Sequence, residues 1–86
     1  MSALEELRAL LEAVVEAIDL PHPDTVGDAD AYRDLLDRRA GLAVIVARAA
    51  LAEEPDAYGW NAAYLRRKIA EYPIAYRAYE KPEASR

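Results

Sequence analysis

Hydrophobic positions near the start of the chain recur at helical spacing. Leu4, Leu7, Leu11, Val14 and Ile18 follow alternating steps of three and four, and Leu10 and Val15 widen the stripe. Glu5, Glu6, Arg8, Glu12 and Glu16 fall elsewhere on the same wheel, so the pattern predicts an amphipathic helix of about five turns packed through its aliphatic stripe. Ser2 and Glu5 stand in the S-x-x-E arrangement of a capping box, in which the hydroxyl and the carboxylate each accept an otherwise orphaned backbone N–H. The helix should close at Asp19 and Leu20, because Pro21 disfavours helical geometry in the residue before it and Pro23 repeats the block. Residues 20–27 then read as a stiff, acidic linker.

A second helix can start near Asp28 or Asp30, and no stop signal follows until Pro55. A length of about 26 residues, or about 39 Å, exceeds what a first helix of about 27 Å can cover. Tyr32, Leu35, Leu36 and Leu42 share one side of its first half, whereas residues 40–47 leave no polar face at all. A helix that is apolar all round must be covered all round, which makes this the expected central element. Gly41 in its interior costs about 1 kcal/mol relative to Ala, and the reading is that a neighbouring backbone approaches closely there. Leu36, Ala40, Ala43, Ala47 and Ala50 form a small-residue face suited to tight helix packing. A third helix is expected over 57–71 with Asp56 as its cap, broken at Tyr72 by Pro73. A short fourth helical segment can follow over 74–80, and 82–86 read as a frayed tail.

Composition supports an all-α class. Of the 86 residues 19 are Ala, and Pro and Gly together number eight. The chain has no Cys, which removes disulfides, thiolate nucleophiles and sulfur-ligated zinc and fits a reducing, cytoplasmic compartment. Four Glu among the first 20 residues oppose a signal peptide, and the apolar window 40–52 falls short of the ~20 residues of a membrane-spanning helix. No membrane association is therefore expected. The preference for Ala, and for Arg over Lys, is that of a GC-rich genome and points to a bacterial or bacteriophage origin.

Catalytic groups are scarce. His22 is the single imidazole, Thr25 the single Thr, and Ser2 and Ser85 lie near the two ends, so no nucleophile, base and orienter come together. Asp19, His22, Asp24, Asp28 and Asp30 offer a candidate divalent-cation cluster, but Gly27 precedes the only D-x-D pair and the spacing is not that of a calcium loop. Helix capping explains the same Asp residues. No metal or other cofactor is expected.

Charge is unevenly distributed. Residues 1–58 carry 5 basic and 13 acidic side chains, net −8, and residues 59–86 carry 6 basic and 3 acidic, net +3. In the basic part Trp60, Tyr64, Lys68, Tyr72 and Tyr76 recur every fourth residue beside the consecutive Arg66, Arg67 and Lys68. Rings interleaved with cations suit stacking on bases and phosphate neutralisation, yet the same spacing is ordinary helical packing, with Tyr58, Leu65, Ile69 and Tyr72 as the buried stripe. A helix-turn-helix over 43–68, with Asn61, Arg66 and Arg67 on the reading helix, places Glu53, Glu54 and Asp56 beside the phosphates, against the electrostatic attraction such binding requires.

The sequence thus predicts a compact all-α three-helix bundle over 1–81 with a long central helix. The expected function is that of a non-enzymatic interaction protein, a homo-oligomer associating through Leu42, Val44, Ile45 and Val46. A protein partner, or a second copy, would meet Arg66, Arg67, Lys68, Tyr64 and Tyr76, and a nucleic-acid-associated regulator using the same C-terminal surface ranks second.

Overall fold

A computed structural model describes residues 2–52 and 57–79. The chain is all-α, with α1 over Ala3–Ile18, a 3-10 turn over Val26–Asp28, α2 over Ala29–Ala52 and α3 over Tyr58–Ala70. The expected capping box is formed: Ser2 Oγ accepts from the Glu5 N–H at 3.2 Å and the Ser2 N–H donates to Glu5 Oε1 at 3.3 Å. The helix closes at Asp19, ahead of Pro21. Asp56, the expected cap of the third helix, and the 82–86 tail lie outside the described residues.

The main core is built largely from small residues. Leu10, Ala13 and Ala17 of α1 meet Ala43, Val46 and Ala50 of α2 and Ala62, Leu65 and Ile69 of α3. The long second helix is not covered all round. It buries the single stripe Leu35, Arg39, Ala43, Val46 and Ala50 and leaves Val44, Ile45 and Leu51 exposed. Among the described residues the expected close approach at Gly41 is absent, since nothing lies within 4 Å of where its Cβ would be. The tight glycine is Gly59 of α3, whose missing Cβ leaves room for the Glu6 carboxylate of α1. Each of the three helices packs against the other two.

The first helix is rolled away from the orientation its periodicity predicts. Ala13 and Ala17 point inward, while Leu4 is 76% exposed, Leu11 58%, Val15 56% and Ile18 42%. Most of the large aliphatic stripe faces solvent; of its members Leu10 is buried in the core, Val14 packs at the core margin and Leu7 is half-buried.

No fourth helix forms over 74–79. This segment is extended and runs antiparallel to the linker between α1 and α2, with a bridge between Pro23 and Ala78. The Tyr79 N–H donates to His22 O at 2.8 Å and the Asp24 N–H donates to Arg77 O at 2.9 Å. Proline decides the outcome, because Pro73 stops α3 from continuing, and the linker prolines leave it extended with carbonyls free to accept. Tyr76 anchors the strap. Its ring is buried with Leu20 and Leu35, meets Tyr32 edge-on at 5.7 Å, and its hydroxyl donates to Pro21 O.

The two clusters are joined by Arg39, which is 7% exposed. Its Nε and Nη2 donate to Tyr72 O at 3.3 and 3.1 Å, and its Nη1 donates to Glu16 O at 3.3 Å. Arg39→Ala is expected to destabilise the fold by about 2–4 kcal/mol, because charge-assisted bonds and the packing of the aliphatic stem are lost together. Arg39→Lys should restore less than half of that loss, since one ammonium lacks the planar fork that reaches both carbonyls. Urea unfolding monitored by far-ultraviolet circular dichroism checks both values, and a loss below about 1 kcal/mol for Arg39→Ala contradicts the bridging role of the guanidinium.

The strap also carries a pH dependence. Asp28 accepts from the Thr25 hydroxyl at 2.8 Å and from the Arg77 N–H at 3.3 Å, and these bonds, the hydroxyl first, lower its pKa below the usual Asp value. A lowered folded pKa means a contribution to stability that is present above the unfolded value of about 3.9 and is lost as pH falls through the folded value. Carbon-13 titration of the Asp28 carboxyl should give a midpoint under about 3.9 that rises in Thr25→Val. Equal midpoints in the two proteins would contradict the assignment.

Candidate functional site: the outer faces of the bundle

The residues expected to mediate self-association are split by the structure. Val46 is 1% exposed and belongs to the chain's own core, so it is unavailable to a partner, and Leu42 is half-buried against the same core. Val44 and Ile45 do face outward. The reason is geometric: consecutive residues on a helix are about 100° apart, so three in a row cannot share one face.

The same rule divides the basic triplet. Arg66 turns toward α1, where its Nε lies 3.4 Å from Glu16 Oε2. Arg67 and Lys68 turn the other way, each 5.6 Å from the centre of the Tyr64 ring, and Lys68 Nζ lies 3.8 Å from Glu71 Oε2. Tyr64 in turn stacks on the exposed Trp60, with centroids 5.5 Å apart and planes 11° from parallel. Trp60, Tyr64 and Arg67 therefore make a small aromatic and cationic patch on α3. Tyr76 does not join it: the residue is only 8% exposed, and burial raises the pKa of its phenol. Tyr72 is also elsewhere, its ring 5.2 Å from the Arg38 guanidinium.

Asn61 is removed from any reading helix. It is 2% exposed and its Nδ2 donates to Ala57 O at 3.0 Å, so it holds the first turn of α3 and cannot reach a base edge. Among the described residues no three His, Asp or Glu side chains gather in a geometry that holds a metal ion. Asp28 is engaged by Thr25 and Arg77, and the His22 ring lies 6.1 Å from that of Tyr32.

A hollow of about 380 Å³ opens between α2 and the segment after α3 and is lined by Asp34, Leu35, Arg38, Tyr72, Pro73 and Tyr76 among others. It offers one cation, Arg38, and two carboxylates, Asp34 and Glu71, but no imidazole, thiol or aliphatic hydroxyl. The apolar surface is more extensive. A groove of about 200 Å³ runs between Leu7, Leu11 and Val14 of α1 and Ala47 and Leu51 of α2, with Tyr58 of α3 at its end. A second hollow, about 350 Å³, lies on α1 itself between Arg8, Leu11, Glu12, Val15 and Glu16. Leu11 borders both. Leu4, Leu11, Val15 and Ile18 of α1 and Leu51 of α2 thus form the largest outward-facing group of aliphatic side chains.

Sequence reasoning placed these α1 residues in the core and did not single out Arg39. The signal for Arg39 was present in its spacing, four residues before Ala43 and seven before Val46 on the buried stripe. Among the described residues no helix is long and apolar enough to cross a membrane. No protein-family model matches the chain, and no curated protein or solved structure is significantly similar to it.

Proposed function

We propose that this protein is a non-enzymatic helical interaction protein, an adaptor or accessory subunit, that associates with a second copy of itself. The observation that supports this reading is the aliphatic face of α1, which carries Leu4, Leu11, Val15 and Ile18 into solvent and continues onto Leu51 of α2. Contiguous exposed apolar surface on a small domain marks a binding surface, and an amphipathic helix turned outward is complementary to another helix. Val44, seven residues before Leu51, extends the face along α2, whereas Ile45 is about 120° around the helix from Leu51, so the expected interface moves from the centre of α2 to α1 and the adjoining outer side of α2. The lack of Cys is consistent with a reducing, cytoplasmic setting.

A second reading, nucleic-acid association, is favoured by one observation: the stacked Trp60 and Tyr64 pair with Arg67 over the ring. Stacking of that kind tolerates any base. Against it stand the engagement of Arg66 by Glu16 and of Lys68 by Glu71, and a net charge of −5.

Light scattering at micromolar concentration should give a mass of twice the chain's 9.6 kDa or more. Leu11→Glu should lower it to the monomer mass while keeping the helical circular dichroism, since Leu11 is exposed in the single chain. A monomeric wild type would overturn the proposal. Replacing Arg66, Arg67 and Lys68 together by Gln should leave most stability intact, because exposed pairs contribute about 0–1 kcal/mol each. On short DNA and RNA at about 50 and 200 mM salt, submicromolar wild-type binding that weakens steeply with salt and vanishes in the triple variant would put the second reading first.

A further inference from the structure

We infer that the interface between copies is an antiparallel pair of α1 helices related by a two-fold axis at Leu11, an inference that rests on the self-association reading and adds its geometry.

The first support is the shape of the hollow on α1. Four of its lining residues, Arg8, Leu11, Glu12 and Val15, stand at positions i, i+3, i+4 and i+7. This is the diamond that receives a single side chain from a facing helix in knobs-into-holes packing. The diamond is centred midway between residues 11 and 12. In a two-fold pair, whatever fills the hollow of one copy also fills that of the other. When the axis passes at Leu11, residue n of one helix comes level with residue 22 − n of its partner. The side chain that enters the hollow is then the Leu11 of the second copy. Leu4 comes level with Ile18, and Leu7 with Val15, so the exposed aliphatic residues meet one another along the whole helix.

The second support is the difference between the two flanks of the stripe. On one side lie Leu7 and Val14, continuous with Leu51 of α2, and on the other lie Arg8, Glu12 and Glu16. A two-fold axis perpendicular to the helices brings like flank against like flank, so the apolar sides join and the charged sides join. A parallel pair does the opposite and sets Arg8 and Glu12 against Leu7 and Val14, with the desolvation cost that such burial of charge carries.

The third support is the sign of the charges on that flank. In the antiparallel pair Arg8 comes level with position 14 of the second copy, about 3 Å along the axis from its Glu12. Glu12 comes equally level with the Glu12 of the second copy, and the two Arg8 side chains, each about 3 Å along the axis from a Glu12 of the other copy, flank and offset that acidic pair, so each copy supplies both halves of the complementarity. Glu16 remains with Arg66 of its own chain.

The absence of native Cys makes the geometry directly readable. Leu11→Cys should link to itself through a short bis-maleimide reagent. Leu4→Cys alone should not, because the two copies of that position lie about 21 Å apart along the pair. A mixture of Leu4→Cys and Ile18→Cys should give the hetero-linked dimer. In parallel, Arg8→Glu should weaken association about tenfold, and Arg8→Glu combined with Glu12→Arg should return it to near the wild-type value. Self-linking of Leu4→Cys, failure of Leu11→Cys to link in a protein that is dimeric by mass, or no recovery in the charge-reversed double variant would overturn the antiparallel pair and leave self-association standing. A wild type that is monomeric by mass overturns both.

Discussion

A guanidinium buried between two helix ends fixes how the chain is arranged. Arg39 enters the bundle from the middle of α2 with no carboxylate beside it among the described residues, and it is satisfied by carbonyls at Glu16, in the last turn of α1, and at Tyr72, just past the end of α3. These are the negative ends of two helix dipoles, and α1 has no basic residue of its own in that turn. One cation therefore ties the last turn of α1, which lacks a basic residue, to the chain just past α3, whose own last turn carries Arg67 and Lys68. The cost of burying Arg39 is offset only while both carbonyls stay in place, so the ends of α1 and α3 are held together and the strap that follows Tyr72 starts from a defined point.

That arrangement governs the roll of α1. With Glu16 O turned to Arg39, the Glu16 carboxylate beside Arg66 and the Glu6 carboxylate over Gly59, the face presented to the bundle is the one carrying Ala13 and Ala17. Leu11 and Val15 each stand two positions from Ala13, about 200° around the helix, and are driven outward by the same rotation. Small residues at the seam let the helices approach closely, and of the large aliphatic side chains of α1 only Leu10 is fully buried there. Outward exposure of the stripe is a consequence of how the core closes.

Local features were legible in the sequence because they depend on local chemistry. The Ser2 and Glu5 capping box, the stop before Pro21 and the break at Pro73 each involve residues within one turn of one another. Periodicity identified the α1 stripe but not what would cover it, because a helix pattern carries no label distinguishing its own core from a partner. The side-chain fates that escaped were non-local. Tyr76 is buried because its hydroxyl meets Pro21, 55 residues away, and the 74–79 segment is extended because the linker takes its backbone donors and acceptors. Consecutive residues misled for the opposite reason: Val44, Ile45 and Val46, like Arg66, Arg67 and Lys68, look like single patches in the sequence and are separated by the turn of the helix.

The distribution of large and small side chains bears on function through the relative worth of burying each. Removing a Leu, Val or Ile side chain from water contributes about 1.5–3 kcal/mol, whereas the Ala residues that line much of the core contribute far less each. In the single chain Leu4, Leu11, Val15 and Ile18 of α1 leave much of that stabilisation unrealised, and the core combines Leu10, Val46, Leu65 and Ile69 with close approach of Ala13, Ala17, Ala43, Ala50 and Ala62. Covering Leu4, Leu11, Val15 and Ile18 with a second helix realises it without disturbing a contact inside the subunit, since those side chains make none of the core. Association and folding then draw on different residues. In the proposed dimer a substitution on the outer face acts on assembly and one at Val46 or Leu65 acts on the fold, and Arg39, by fixing the roll of α1, sets which residues fall into which group.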